Sequence, residues 1–500
     1  MARLTSLSAL LSLFGWLLVL LSVITTCASH KIPLPTTDDS NSHHARLIQT
    51  LGTVPQWPID IHDLNHAINH GTDYIVRHCN EHGKFTYLAD TADPSRYQDS
   101  VKYNMLRHSG AIYALGMANA RRPNRNIVDA MQRAVDFLKR ESMAPVMNAK
   151  LGTVKDGDGE RLLAVWSSET ISGQKGQPPT AKLGGAGLAL IALTSLEAVR
   201  RRSTPLDDMR SLARFVLFMQ NDDGGFVSKY VPRKGGMDHS FVSLYYPGEA
   251  ALGLLSLYEI DPDPRWLKGA AKAISYLYNL RRDLPLDNIE PDHWALIATS
   301  KLLSIMDGRD HDDCSQRAAV DHATKVCQSM VLGPDQLLKN GGCLVGDHRT
   351  CPTSTRIEGY AASLTFLPNA TVTDQALRKL VEYNMDAGVR YLLRAQRVAD
   401  DLNEASRGMM VGSFPGVYPP ETDRSKECTE VRIDYVQHAL SAMIGYERER
   451  FHHGKVRVSM LYRVAEAIGW GLRRLVLTIL ALALAVGVML FARPKAKKLH

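Results

Sequence analysis

The 500-residue sequence predicts an all-α fold, a single closed ring of six helical hairpins. The run Gln220-Asn221-Asp222-Asp223-Gly224-Gly225-Phe226 closes one helical pattern, and the next begins after a loop at Tyr246-Pro247-Gly248-Glu249. The same punctuation recurs as Gly83-Lys84-Phe85-Thr86-Tyr87 ahead of Tyr103-Asn104, and as Gln396 leading to Gly412-Ser413-Phe414 ahead of Arg432-Ile433-Asp434-Tyr435. Helical periodicity is legible in twelve segments, enough for six hairpins. Two helices cannot bury both apolar faces as a lone pair, so hairpins set side by side close round a cavity. Glycine lets each turn adopt positive φ and approach its neighbour closely.

Residues 1–29 carry Arg3, a Leu-rich run from Leu7 to Val23 and small residues at Thr26, Ala28 and Ser29. That is a secretory signal pattern, with an apolar run long enough to stay as an anchor. Polar, proline-bearing residues 30–58 form a lead-in, and the ring is expected over 59–447. Its helices fall at 61–79, 104–120, 126–141, 183–201, 206–220, 247–260, 266–280, 292–306, 316–332, 356–366, 375–398 and 434–447. The run Ala250, Ala251, Leu252, Leu254, Leu255 and Leu257 marks an inner helix buried on most sides. Lys268 and Lys272 among Leu267, Ala271, Ile274 and Leu277 mark its outer partner. Strands are expected only around Phe85–Tyr87 and Phe226–Tyr230.

Residues 448–474 set Val456, Met460, Leu461, Val464, Ile468 and Trp470 against a basic face, an amphipathic helix suited to lie along a bilayer or on the ring. Leu475 to Ala492 is free of charge and reads as one transmembrane helix, followed by a basic tail, Arg493 to His500. With a signal-like start, the ring is expected on the extracytoplasmic side, periplasmic or extracellular.

The net charge of +7 is modest, and its excess gathers near the C-terminus without interleaved aromatics or a nucleic-acid motif. A membrane surface, not a nucleic acid, is the partner this implies. Besides Cys27 there are six cysteines, an even number consistent with export and disulfides. Cys314 and Cys327 flank one helix and would lie about 20 Å apart, beyond the span of a disulfide. Each is therefore expected to pair with Cys343 or Cys351. A zinc set of Cys343, His348 and Cys351 is the rival, but its spacing fits no standard ligand set; no metal and no cofactor are assigned. Asn369-Ala370-Thr371 is a glycosylation acceptor in a eukaryotic host.

The candidate chemistry clusters where inner helices start. Catalytic candidates are Glu249, Asp292, His293, Glu358, Asp434 and His438; substrate-binding candidates are Tyr103, Asn104, Arg107, His108, Tyr246, Trp294, Arg356, Arg432 and Tyr435. Asp292 after Pro291 is equally a helix cap. Carboxylates serve as acid or base, arginines fork onto a carboxylate or phosphate, and aromatics stack on pyranose faces. Inner helices that run parallel collect their N-termini at one face, which favours an anionic group.

The repeat resembles the α/α-toroid proteins, a group that includes squalene-cyclase-like and prenyltransferase-like proteins and the six-hairpin carbohydrate enzymes. The sequence lacks the Asp-x-Asp-Asp proton donor expected of a terpene cyclase, and no cysteine accompanies the candidate Asp and His residues as a prenyltransferase zinc site requires. Asp223-Gly224-Gly225-Phe226, Tyr246-Pro247-Gly248-Glu249 and Arg432-Ile433-Asp434-Tyr435-Val436-Gln437-His438 look like the C-terminal toroid of glucuronyl C5-epimerases, although that family's N-terminal β-rich region has no counterpart here. The resemblance implies a uronic-acid or other polysaccharide substrate, and with the anchor read above the chain is expected to be a membrane-anchored enzyme of an anionic polysaccharide or glycan, a hydrolase, lyase or uronate epimerase. The alternatives are a non-catalytic glycan-binding or assembly protein and an isoprenoid- or lipid-handling protein.

Overall fold

The computed structural model describes residues 56–96, 102–150, 152–418 and 428–452. The signal-like residues 1–29, most of the lead-in, the transmembrane segment 475–492, the tail 493–500 and nearly all of 448–474 lie outside them. Among the described residues no helix is long and apolar enough to cross a membrane.

Twelve helices build the ring. The inner ones are α2 (Met105–Arg121), α4 (Leu183–Val199), α6 (Tyr246–Tyr258), α8 (His293–Met306), α10 (Thr350–Ser363) and α12 (Ile433–Glu447). The outer ones are α1 (Ile61–Arg77), α3 (Arg125–Glu141), α5 (Leu206–Phe218), α7 (Pro264–Arg281), α9 (Gln316–Met330) and α11 (Val372–Ala395). Each inner helix packs on the next, and α12 returns to α2, so the ring closes. The last inner helix takes the first outer helix, α1, as its partner. Strand β1 (Leu88–Asp90) adds a second clasp by pairing antiparallel with β9 (Glu430–Arg432), Leu88 opposite Arg432.

Composition separates the layers. Helix α4 buries all but a few of its residues, including Gly184, Gly185 and Gly187, and the glycines let α6 approach so closely that a Cβ on Gly187 would meet the Glu249 backbone at 2.5 Å. The outer α3 instead buries one stripe, Ile127, Ala130, Met131, Ala134, Val135 and Leu138.

The punctuating glycines share one conformation and one position. Gly83, Gly224 and Gly412 have φ of 89°, 91° and 89°, and each would drive a Cβ onto the carbonyl of an outer helix: Arg133 at 1.9 Å, Lys272 at 2.4 Å and His70 at 2.1 Å. A fourth copy, Gly342 at φ 89° against the Ala387 carbonyl, completes the set.

Three expectations are corrected. Strand content is larger than the sequence implied. A five-stranded antiparallel sheet, β2 (Met143–Pro145), β5 (Leu163–Ser167), β6 (Thr180–Lys182), β7 (Lys229–Val231) and β8 (Gly236–Met237), forms beside α4, with the small hairpin of β3 (Met147–Asn148) and β4 (Gly152–Thr153) next to it. Its strands are two to five residues long, too short to show alternation. Helix α10 starts at Thr350, not 356, because Thr350, Thr353 and Ser354 bond into the backbone and let a polar turn be buried. Among the described residues Cys79, Cys314, Cys327, Cys343 and Cys351 stand as free thiols. Cys314 and Cys343 hydrogen-bond locally, to the Ser315 carbonyl and to Thr353 Oγ1, and neither bridges Cys327 or Cys351.

Candidate functional site

The N-terminal ends of α2, α4 and α12 meet at a cavity of about 360 Å³ lined by Tyr87, Lys102, Tyr103, Asn104, Arg107, Lys182, Glu430 and Arg432, with Ser167 of β5 and Ser172, Gln174 and Gln177 from the connection to β6. Asn104 caps α2 by accepting from the Leu106 amide at 2.8 Å. One turn on, Arg107 donates through Nε to Asp434 Oδ2 at 2.9 Å and through Nη1 to the Tyr87 hydroxyl. Arg432, held opposite Leu88 by the clasp, donates to both Asp434 oxygens at 2.5 and 2.9 Å, and its guanidinium lies over the Tyr435 ring at 4.6 Å. Burial works to raise the Asp434 carboxyl, but the two guanidiniums outweigh it and hold it below the usual carboxylate range. Burial and the neighbouring Lys229 and Arg107 push Lys182 down.

Deeper on the ring axis, three consecutive inner helices supply one cluster. His293 opens α8, Glu358 lies about two turns into α10 and His438 about a turn and a half into α12. His438 Nδ1 stands 2.8 Å from Glu358 Oε2, and His293 Nε2 stands 3.8 Å from the same oxygen. The imidazole centroids are 5.5 Å apart and edge-on. Glu358 Oε1 and His293 Nε2 are enclosed without a hydrogen-bond partner among the described residues. Burial and the charge of His438 press His293 well below the ordinary histidine value. Burial also pulls on His438, but the Glu358 carboxylate and its hydrogen bond win and raise it. The three donor atoms lie within 4.8 Å of one another, so they could gather round a metal ion; Oε2, however, is already the acceptor of the His438 contact, and the set reads as an imidazole–carboxylate couple. Cys343, His348 and Cys351 form no such group among the described residues.

The remaining sequence candidates divide. Glu249, in the first turn of α6, is buried with Oε2 unpartnered, against Gly184 and Tyr246. Desolvation, with a smaller contribution from Asp292, pushes its pKa up to about 8. Asp292 is fully buried, caps α8 through the Ala295 amide at 3.1 Å and pairs with Arg281 at 2.8 Å. Arg281 also reaches His322 on the outer α9, so Asp292 faces the outer layer. His108 is bonded to the Tyr103 hydroxyl at 2.8 Å and the Ala134 carbonyl at 2.9 Å, beneath α3, and burial lowers it to about 4. Arg356 donates to the Leu344 carbonyl. Trp294 and Tyr246 are core residues; Trp294 packs on Tyr113 and His438.

Four residues that line the mouth were not among the binding or catalytic candidates of the sequence: Tyr87 just before β1, Lys102 in the loop before α2, Lys182 in β6 and Glu430 in β9. Cys351 was read only as a disulfide or zinc candidate. Burial pushes the Cys351 thiol up, with Asp434 and Glu358 adding to the shift and Arg432 opposing it. A second cavity of about 290 Å³ opens among the C-terminal halves of the inner helices, where Tyr113, Ser256, Lys301, Ser441 and Arg448 surround Glu358. Of the three cluster residues Glu358 faces this second cavity, and none lines the first.

No family model and no curated protein matches the chain. Solved structures do. The cellobiose 2-epimerase of Bacillus thermoamylovorans B4167 superposes with a TM-score of 0.50 at 12% identity, covering 81% of this chain and 99% of that one. The GH76A α-1,6-mannanase of Salegentibacter sp. HEL1_6 gives 0.48 at 12% identity, covering 77% and 98%. The chain shares the α/α-toroid fold with the epimerase, and at this identity the likeness is one of fold.

Proposed function

We propose that this chain is an extracytoplasmic, membrane-anchored enzyme of an anionic glycan that removes and returns the proton beside a uronate carboxylate. The observation that carries the reading is the His293–Glu358–His438 cluster on the ring axis. Glu358 fixes His438 through Nδ1 and leaves Nε2 free for substrate, the arrangement of a base oriented by a third group. His293, with Nε2 3.8 Å from the same carboxylate oxygen, stands alongside as the second proton carrier. In an epimerase one imidazole takes the proton from C5 and the other returns one to the opposite face; in a lyase the same abstraction is followed by loss of the group on C4.

Hydrolysis is the weaker reading, because it needs a pair of available carboxyl groups. Asp434 is committed to Arg107 and Arg432, Asp292 to Arg281, and Glu249 Oε2 is enclosed against Gly184. The mouth supports an anionic substrate: Lys102, Arg107, Lys182 and Arg432 face the cavity against Glu430, with three inner-helix N-termini beside them. Its polarity speaks against an isoprenoid. A sugar substrate agrees with the ring fold shared with a cellobiose 2-epimerase and with the resemblance of Arg432-x-Asp434-Tyr435-x-x-His438 to glucuronyl C5-epimerases.

The test is NMR of oligouronates incubated with the protein in D2O. Deuterium entering C5, lost in His438→Ala, is the expected result. New reducing ends without exchange would make it a hydrolase. Binding without any turnover would make it a glycan-binding protein.

A further inference from the structure

We propose that the segment Asp238–Tyr245 is a platform for sugar units beyond the one being processed, so that the substrate is a polyanionic chain and not a free sugar. The proposal rests on the glycan reading above and names the substrate's size.

The segment is held at both ends. Buried Asp238 accepts from the Ser240 amide at 3.1 Å and hydroxyl at 2.5 Å and pairs with Lys234 at 3.0 Å, while the Ser243 amide donates to Ser228 Oγ at 3.1 Å. Between these anchors Phe241 is exposed and Val242 is 85% exposed. A short segment pinned at each end gains nothing in stability from large apolar groups turned to water, so their placement calls for a partner.

Two observations identify that partner as glycan. The platform runs into the candidate site, since exposed Tyr245 sets its ring 5.4 Å from His293 and Phe241 lies 6.0 Å from Tyr246. In the other direction it continues to exposed Met237 and Met147, whose strands are tied by Asn148 Nδ2 donating to the Gly235 carbonyl at 2.8 Å. Cations accompany it: Arg233 is exposed beside the strip, and Lys234 and Lys229 stand 3.0 and 3.9 Å from Asp238, two positive charges against one negative. Apolar faces for sugar rings flanked by positive charge for carboxylates complement a polyuronate, where rings and carboxylates alternate.

The experiment compares a uronate dimer and hexamer, titrated by calorimetry into the full chain and into a Phe241→Ala/Val242→Ser double variant. Both positions are exposed, so the melting temperature should not move. The hexamer should bind about tenfold more weakly to the variant, with dimer binding unchanged. Equal hexamer affinity in both proteins, an equal loss for dimer and hexamer, or no hexamer binding at all overturns the platform. Capture by phosphatidylglycerol vesicles that requires Phe241 and Val242 would assign the strip to a membrane surface instead. Because the readout is binding, it holds even if no oligouronate exchanges deuterium, a result that would remove the enzymatic reading and leave the platform standing.

Discussion

Glu358 Oε2 and His438 Nδ1 meet at 2.8 Å across 80 residues of sequence, joining α10 to α12 at the centre of the ring. An imidazole beside a buried carboxylate gains both orientation and basicity. His438→Ala should lower turnover by about 10² or more. Glu358→Gln keeps an acceptor for Nδ1 but removes the charge that raises His438, so the acidic limb of the pH profile for kcat should move to lower pH. An unchanged profile would show that Glu358 does not act through His438.

Arg281 and Asp292 test the opposite kind of pair. Both are buried, and their contact ties the cap of α8 to the outer layer. Arg281→Met leaves Asp292 enclosed without its counter-charge, and denaturant unfolding should show a loss of about 3–5 kcal/mol. Asp292→Asn keeps a competent cap yet strands Arg281, so it too should act on stability first.

The ring was legible because its signals are long: a dozen helical periods and three of the four glycine turns could be read directly. The fourth, Gly342-Cys343-Leu344, carries leucine where its counterparts carry phenylalanine, so the repeat was disguised. The sheet escaped because strands of two to five residues leave no period to detect. Site candidates were read as residue types near helix starts, but sequence cannot tell which way a side chain turns. His108 turns under α3 and Asp292 toward Arg281, while Glu358, two turns inside α10, reaches the axis.

Gly224 gives the fold its sharpest single-residue test. At φ 91° its Cβ would lie 2.4 Å from the Lys272 carbonyl, part of a helix backbone that cannot step aside. Gly224→Ala should cost more than the 1–3 kcal/mol typical of overpacking, because left-handed strain is added to the clash. Gly235, also at positive φ but with open space around it, is the control, and its alanine variant should cost only the backbone term. Similar unfolding midpoints for the two variants would mean that the close approach of α5's turn to α7 is not a constraint.

Glu249 predicts a pH dependence of stability. Its folded pKa of about 8 exceeds the ordinary 4.5, first because it is desolvated and then because Asp292 is near. Between those values the folded state therefore holds a proton that the unfolded chain has released. Unfolding free energy should fall as pH rises, by up to about 1.4 kcal/mol per unit, starting near the ordinary glutamate value and ending once Glu249 ionises near pH 8. The contribution is complete at low pH and gone above the folded pKa. Glu249→Gln fills the same space beside Gly184 without a titratable proton, so urea unfolding measured from pH 5 to 9 should lose this slope in the variant. If both proteins traced the same curve, Glu249 would be ionised in the folded state, and its place beside Tyr246 could not be that of a neutral buried acid.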